Sequence, residues 1–268
     1  MDIRTFDTPE AVSLAVAARV AEALGARSRV VLGLPTGRTP TGAYAELRRL
    51  HRAGVASFAR AMTFNLDEFA GVPPSHPGSF RTFMEAHLFS GIDLPAPHIH
   101  FLDGAAGDLD AECERYEAAI AAAGGIDLQL LGIGSNGHIG FNEPAEALVA
   151  RTHRVRLAES TRRDNAALFG GDASRVPHEA LSMGMGTILK AAEIVLIATG
   201  ARKARCVERM VNGPVSTQLP ASFLQLHRRV ELFVDAAAAS RLPGGGAAGE
   251  EPRSGSGGSK DPPLRDGP

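Results

Sequence analysis

The 268-residue chain sets 28 Lys and Arg against 30 Asp and Glu, a formal net charge of -2, with 44% apolar residues. So even a balance gives no reason to expect nucleic acid or an anionic membrane surface as the main partner, and points to small-molecule chemistry. The length suffices for one large buried core. Cys113 and Cys206 have no CxxC or Cys/His spacing, so neither a disulfide framework nor a metal cluster is expected.

Residues 1–7 lack the basic-then-apolar order of a leader, and no stretch approaches the ~18 uninterrupted apolar residues of a membrane-spanning helix. The expected compartment is the cytoplasm. Thr8 suits a helix cap before Pro9, and Val12, Val16, Val20 and Leu24 repeat at helical spacing up to Gly25. Val30–Leu34 then reads as a buried strand, Thr41–Arg52 as a helix and 61–66 as a strand. Helical patterns follow at 79–88 and 108–123, and the short apolar runs 126–131, Glu193–Ala198 and 229–234 read as further strands. This alternation predicts a single α/β domain over 1–242: a mainly parallel sheet flanked by helices on both faces, a Rossmann-like three-layer arrangement whose ligands gather at the carboxyl ends of the strands. From residue 243 to 268 half of the positions are Gly or Pro and most others Ser or charged, so this tail is expected to be disordered.

Three predicted strand-end loops carry chemistry. Pro35-Thr36-Gly37-Arg38-Thr39-Pro40 lies between a strand and a helix, where amides and hydroxyls suit an anion; in isolation it serves equally well as a structural turn. It lacks the GxxxxGK[ST] spacing of a nucleotide loop, which favours a sugar phosphate over ATP. Asp67 and Glu68 follow the strand at 61–66, and because adjacent extended residues point to opposite sides, only one of these carboxylates is expected in a pocket. The run 132–144 holds four glycines, His138 and Glu143, supplying acid/base groups near neutral pH. Gly132-Ile133-Gly134-Ser135-Asn136-Gly137 formally satisfies GxGxxG, yet residues 138–144 make a poor helix, which argues against a dinucleotide. His98 and His100 form an HxH pair with no further ligand at a suitable spacing, so no metal is expected. Of Arg202, Lys203 and Arg205, one is expected to reach a phosphate.

Taken together, Leu32 to Gly37, Phe64 to Phe69, His76 to Phe80, the 132–144 run and Leu224 to His227 resemble the corresponding motifs of the glucosamine-6-phosphate deaminase (isomerase) family. The pair Gly137-His138-Ile139 and Phe141-Asn142-Glu143-Pro144 separates the chain from the related 6-phosphogluconolactonases. The resemblance implies a deaminating aldose-ketose isomerase, formally a hydrolase, that converts glucosamine 6-phosphate and water to fructose 6-phosphate and ammonia without an organic cofactor. It implies His138, with Glu143 and Asn136, as the group that opens the ring, and Asp67 as the base that moves the proton from C2 to C1. Thr36, Gly37, Arg38, Thr39, Arg162 and Lys203 would bind the phosphate, Gly132 and Gly134 would line the sugar, and 151–182 would be a lid. Alternatives are a lactonase-like hydrolase with the same fold, or a non-catalytic sugar-phosphate sensor.

Two departures stand out. Asn136 occupies a position where Asp is frequent, and an amide cannot carry charge to an imidazolium; Arg38 stands where a small residue is common, and either adds a phosphate contact or distorts the cradle. Some relatives are hexamers activated by N-acetylglucosamine 6-phosphate. The matching positions here, Glu146, His153 and Val155, are not expected to bind a second phosphate, and the tail replaces a C-terminal helix, so a homo-oligomer is possible but not specified.

Overall fold

The computed structural model describes residues 1–243; apart from Pro243, the predicted tail lies outside them. In chain order come β1 (Asp2–Phe6), α1 (Pro9–Ala26), β2 (Val30–Leu34), α2 (Thr41–Arg52), β3 (Ala61–Asn65), β4 (Asp67–Phe69), α3 (Phe80–His87), β5 (Ile99–His100) and α4 (Leu109–Ala122). Next are β6 (Leu128–Gly132), β7 (His153–Arg156), α5 (Glu159–Asn165), β8 (Glu179–Ser182), α6 (Met185–Leu189), β9 (Glu193–Ala198), α7 (Ala204–Asn212), β10 (Val230–Asp235) and α8 (Ala236–Ala239). The predicted Thr8 cap holds, accepting the Ala11 amide at 3.2 Å, and α4 is capped in the same way by Asp108, which accepts the amides of Asp110 and Ala111 at 3.0 Å.

Seven strands form one parallel sheet in the order β1-β10-β9-β6-β2-β3-β5. Its two faces follow from side-chain alternation. Val30, Leu32, Leu34, Leu128, Leu130, Val195, Ile197 and Phe233 pack with α1 and α2 on one face. Val31, Phe64, Leu131, Ile194, Leu196, Leu232 and Val234 pack with α4, α6, α7 and α8 on the other. The predicted α/β sandwich with helices on both faces is what the chain forms.

Successive strands advance outward from β2 to β3 to β5, then in the opposite direction from β6 to β9 to β10. The order therefore reverses between β2 and β6, and a crevice opens beyond their carboxyl ends. A smaller antiparallel sheet, β4-β8-β7, adjoins this edge, pairing Asp67 with Ser182 and Ser182 with His153. Neither it nor β1 and β5 of the large sheet is among the expected strands: β1 is exposed along most of its length, and β4 and β5 hold only three and two residues. A third apolar cluster, with Phe69, Phe80, Phe141, Leu157, Phe169 and Val176, packs the 151–182 segment against the crevice.

Candidate active site

Strand ends deliver the site. After β2, Pro35 to Pro40 turns over the crevice; Gly37 sits at φ +100°, a backbone state that side-chain-bearing residues resist. The buried Tyr44 hydroxyl donates to the Pro35 carbonyl at 2.5 Å, fixing the start of this loop from within α2. After β3, the Leu66 amide donates to the Leu34 carbonyl at 3.2 Å and the Met183 amide to the Leu66 carbonyl at 2.7 Å, which carries the chain into β4. Asp67 opens that strand and Glu68 points the other way, as alternation requires.

Glu68 is not solvated: it is buried and accepts the amide of Phe69 in its own strand at 2.9 Å and those of Phe80 and Arg81, at the start of α3, at 3.0 and 3.1 Å. Burial raises its pKa, partly offset by those three amides. Asp67 faces the crevice, 6% exposed, and among the described residues its Oδ1 has no hydrogen-bond partner. Burial, with the Glu68 charge behind it, pushes the Asp67 carboxyl up to about 8.

The loop after β6 is folded tightly on itself: the Gly134 amide donates to the His138 carbonyl at 2.9 Å and the Gly137 amide to the Gly134 carbonyl at 3.0 Å. The His138 ring lies against Gly134, where a Cβ would stand 2.2 Å from its Cε1. At Gly132 a Cβ would meet nothing within 4 Å, so that face is open to the crevice. His138 Nδ1 lies 3.5 Å from Glu143 Oε2, an ion-pair distance too long for a strong hydrogen bond.

Glu143 gathers further donors. Asn136 Nδ2 donates to Oε2 at 2.7 Å, and Thr161 Oγ1 donates to Oε1. Burial works to raise the Glu143 pKa, but His138, Thr161 and Asn136 outweigh it and hold the carboxyl at about 2. Asn136 makes no hydrogen bond to the imidazole ring. It accepts the His138 backbone amide at 3.2 Å and grips Glu143, so its hold on the ring is indirect.

One crevice of about 200 Å³ is lined by Thr36, Gly37, Arg38, Thr39, Asp67, Gly132, Gly134, His138, Thr161, Asp164 and Lys203, among others. Burial lowers the Lys203 pKa, while Arg202 and Arg205 lie exposed. Arg162 departs from expectation: its guanidinium donates to the carbonyls of Val176, Ala173 and Ser174, knitting the 151–182 segment together, and it does not line the crevice. Asn136 and Glu143 stand behind His138 rather than on the lining. Thr161 was not anticipated, because a lone threonine in a polar helical stretch gives no sequence signal.

His98 directs Nδ1 to the Ala61 carbonyl at 3.0 Å, and His100 stacks on Phe64 with ring centres 4.4 Å apart, so both imidazoles have structural partners. Among the described residues no group of three or more His, Cys, Asp or Glu side chains is placed to hold a metal ion. Among the same residues no helix is long and apolar enough to cross a membrane.

Comparison with known proteins places this site in context. A family model described as glucosamine-6-phosphate isomerases/6-phosphogluconolactonase matches residues 7–233. Glucosamine-6-phosphate deaminase 1 of Giardia intestinalis is 48% identical over 223 residues, covering 83% of this chain and 84% of its own. Glucosamine-6-phosphate deaminase 2 of Bacillus subtilis (strain 168) is 48% identical over 227 residues, 84% of this chain and 91% of its own. The solved structure of a monomeric glucosamine-6-phosphate deaminase superposes with a TM-score of 0.87 at 41% identity, covering 90% of this chain and all of the other. A 6-phosphogluconolactonase from Trypanosoma brucei, 20% identical with a TM-score of 0.68 over 90% of this chain and 98% of its own, shares the fold. By the extent and identity of these matches, the chain belongs to the family of glucosamine-6-phosphate isomerases and 6-phosphogluconolactonases, and within it to the glucosamine-6-phosphate deaminases.

Proposed function

We propose that the protein converts glucosamine 6-phosphate and water to fructose 6-phosphate and ammonia, at the crevice beyond the ends of β2, β3 and β6. The observation that carries this reading is the presence of a desolvated carboxyl and an imidazole, Asp67 and His138, on the walls of one crevice whose rim holds hydroxyls and cations suited to a phosphate. Thr36, the Gly37 backbone, Arg38, Thr39 and Lys203 form that rim; guanidinium and ammonium groups hold phosphate oxygens strongly. Arg162 is assigned to the lid's own framework instead, since its Nε and Nη2 are taken by carbonyls of the same segment and it does not line the crevice.

With Nδ1 turned to Glu143, His138 offers Nε2 to the sugar. It takes the proton of the C1 hydroxyl and a proton is delivered to the ring oxygen, which breaks the C1–O5 bond and frees the aldehyde. Glu143, ionised across the neutral range, supplies the negative charge that steadies the imidazolium formed in passing. Asp67 then removes the C2 proton, acidified by the C1 carbonyl, and returns it to C1 through an enolamine. Along the way O1 gains a proton and the amine nitrogen gives one up, and the resulting C2 imine, now beside a C1 hydroxyl, adds water and releases ammonia. A carboxyl at about 8 is a far better base for this step than an ordinary aspartate, because its basicity lies near the working pH.

Supplying glucosamine 6-phosphate and measuring both products tests the reading. Ammonia and fructose 6-phosphate in equal amounts are expected. A folded protein that releases neither, or that instead hydrolyses a sugar-phosphate lactone, would sink it.

A further inference from the structure

Thr161 lies on α5, in the 151–182 segment, yet its side chain is 3% exposed and its hydroxyl reaches out of that segment to the catalytic loop. There it meets Glu143 Oε1, while Oε2 faces His138 Nδ1 at 3.5 Å and Asn136 Nδ2 at 2.7 Å. A carboxylate with only Oε2 engaged could rotate about its last bond, and the 3.5 Å contact with the imidazole is too long to prevent it. A donor fixed on the opposite oxygen does prevent it.

The remainder of the segment is built to deliver this hydroxyl. Arg162, the next residue, ties α5 to the carbonyls of Ala173, Ser174 and Val176. Thr152, at the entrance to the segment, donates its amide and hydroxyl to Glu117 on α4 at 2.7 and 2.6 Å. Leu157, Phe169 and Val176 seat the segment on Phe69 and Phe141. Asn165 Nδ2 returns to the Thr161 carbonyl at 2.9 Å, holding the turn that carries the threonine.

We propose that Thr161 is a positioning residue: seated on α5, its hydroxyl locks the Glu143 carboxylate in the rotation that presents Oε2 to His138, so that ring opening requires the 151–182 segment to be docked. The proposal rests on the reaction assigned above, and extends it by naming the atom through which closure of the segment reaches the acid/base pair. Ring opening in an undocked protein would proceed with a carboxylate free to turn from the imidazole. Productive chemistry thereby follows enclosure of the sugar, when water is excluded from the enolamine.

Thr161→Val keeps shape and loses the donor; Thr161→Ser keeps the donor. Each is compared with wild type for kcat and KM on glucosamine 6-phosphate, for inhibition by the reduced open-chain analogue 2-amino-2-deoxyglucitol 6-phosphate, which has no ring to open, and for NMR titration of the 13C-labelled Glu143 carboxyl. Thr161→Val is expected to lower kcat by roughly 10-fold to 100-fold, in keeping with loss of a hydrogen bond to a charged group. Inhibition by the open-chain analogue stays within about twofold by the same reasoning, since the analogue bypasses the step affected, the Glu143 midpoint moves upward from about 2, and Thr161→Ser restores turnover.

Unchanged kcat in Thr161→Val would overturn the proposal. So would an inhibition constant that worsens as much as kcat falls, which marks general damage to the crevice, or a serine variant no better than the valine. If wild type releases no ammonia, the assigned reaction fails; a Glu143 midpoint indifferent to Thr161→Val would separately refute the positioning role.

Discussion

At the scale of single residues, the site depends on what each side chain is denied. Burial and the neighbouring Glu68 charge make Asp67 basic, and its Oδ1 has no donor among the described residues; Glu143 is given two hydrogen-bond donors and the His138 imidazole at ion-pair distance, which keep it ionised across the neutral range. Asp67→Asn is expected to lower kcat by about 10³-fold with little change in KM, since a general base contributes in that range; steady-state kinetics decide, and a variant of wild-type activity removes Asp67 from the mechanism. The same carboxyl sets a stability trend. Its folded pKa near 8 lies above the unfolded value, so the folded state holds the proton more tightly, and the contribution, complete below about pH 4, is lost as pH rises through 8. Asp67→Asn should therefore raise the melting temperature over wild type more at pH 9 than at pH 4; equal differences at the two values would contradict the assigned burial.

Gly134 matters for the opposite reason, that it leaves space. A Cβ there would stand 2.2 Å from Cε1 and 2.3 Å from Nδ1 of His138, so Gly134→Ala must displace the ring. A shift of about 1 Å in a catalytic group commonly costs about 100-fold in rate, which is the loss expected in kcat while the melting temperature changes little. The sequence marked His138 and Gly134 as belonging to one loop. It did not show that the glycine is a seat for the imidazole, because that contact exists only once the Gly134 amide and the His138 carbonyl have closed the turn.

At the scale of elements, β4 is the part that composition concealed. Three residues long, it could be identified only through its partner β8, far along the chain. Its role is to aim Asp67 inward and Glu68 toward α3, and Glu68 in turn satisfies two amides at that helix start and the Phe69 amide of its own strand. Glu68→Gln offers one acceptor where two oxygens served, and turns an amide group toward N–H donors. A loss of about 1–3 kcal/mol in denaturant-unfolding free energy is expected, with kcat reduced as Asp67 loses its strand; an unaffected midpoint would show that the three amides find other acceptors. The long elements were legible because their apolar spacing is a local property: α1 falls where the Thr8 cap and the valine stripe put it, and α2 spans the predicted Thr41–Arg52.

At the scale of the whole molecule, the order of strands explains why distant loops meet. Pro35 to Pro40 and the 132–144 run follow β2 and β6, neighbours across the reversal of the sheet, and both project past the same edge. Regulation can be argued at this scale too. His153 and Val155 lie on β7 beside Arg154 and Arg156, in a separate groove that also reaches Glu143, while Glu146 is exposed. With an acidic and an apolar residue at two of the positions named for an activating phosphate, N-acetylglucosamine 6-phosphate is expected to leave a hyperbolic saturation curve unchanged. A sigmoidal curve that this compound straightens would refute that.

The sequence by itself determined the alternation of strands and helices, the chemistry-bearing loops and the family, since all of these are written in residue type and short-range spacing. Only the tertiary structure decided that Arg162 serves the framework of the 151–182 segment, that Asn136 grips Glu143 rather than the ring, and that Thr161 completes the carboxylate's shell. The physical reason is reach. A cap or an apolar stripe is settled within a turn or two of chain, whereas side-chain hydrogen bonds between residues 7 to 18 positions apart, and the desolvation that shifts Asp67, come into being only when loops and segments close over one another.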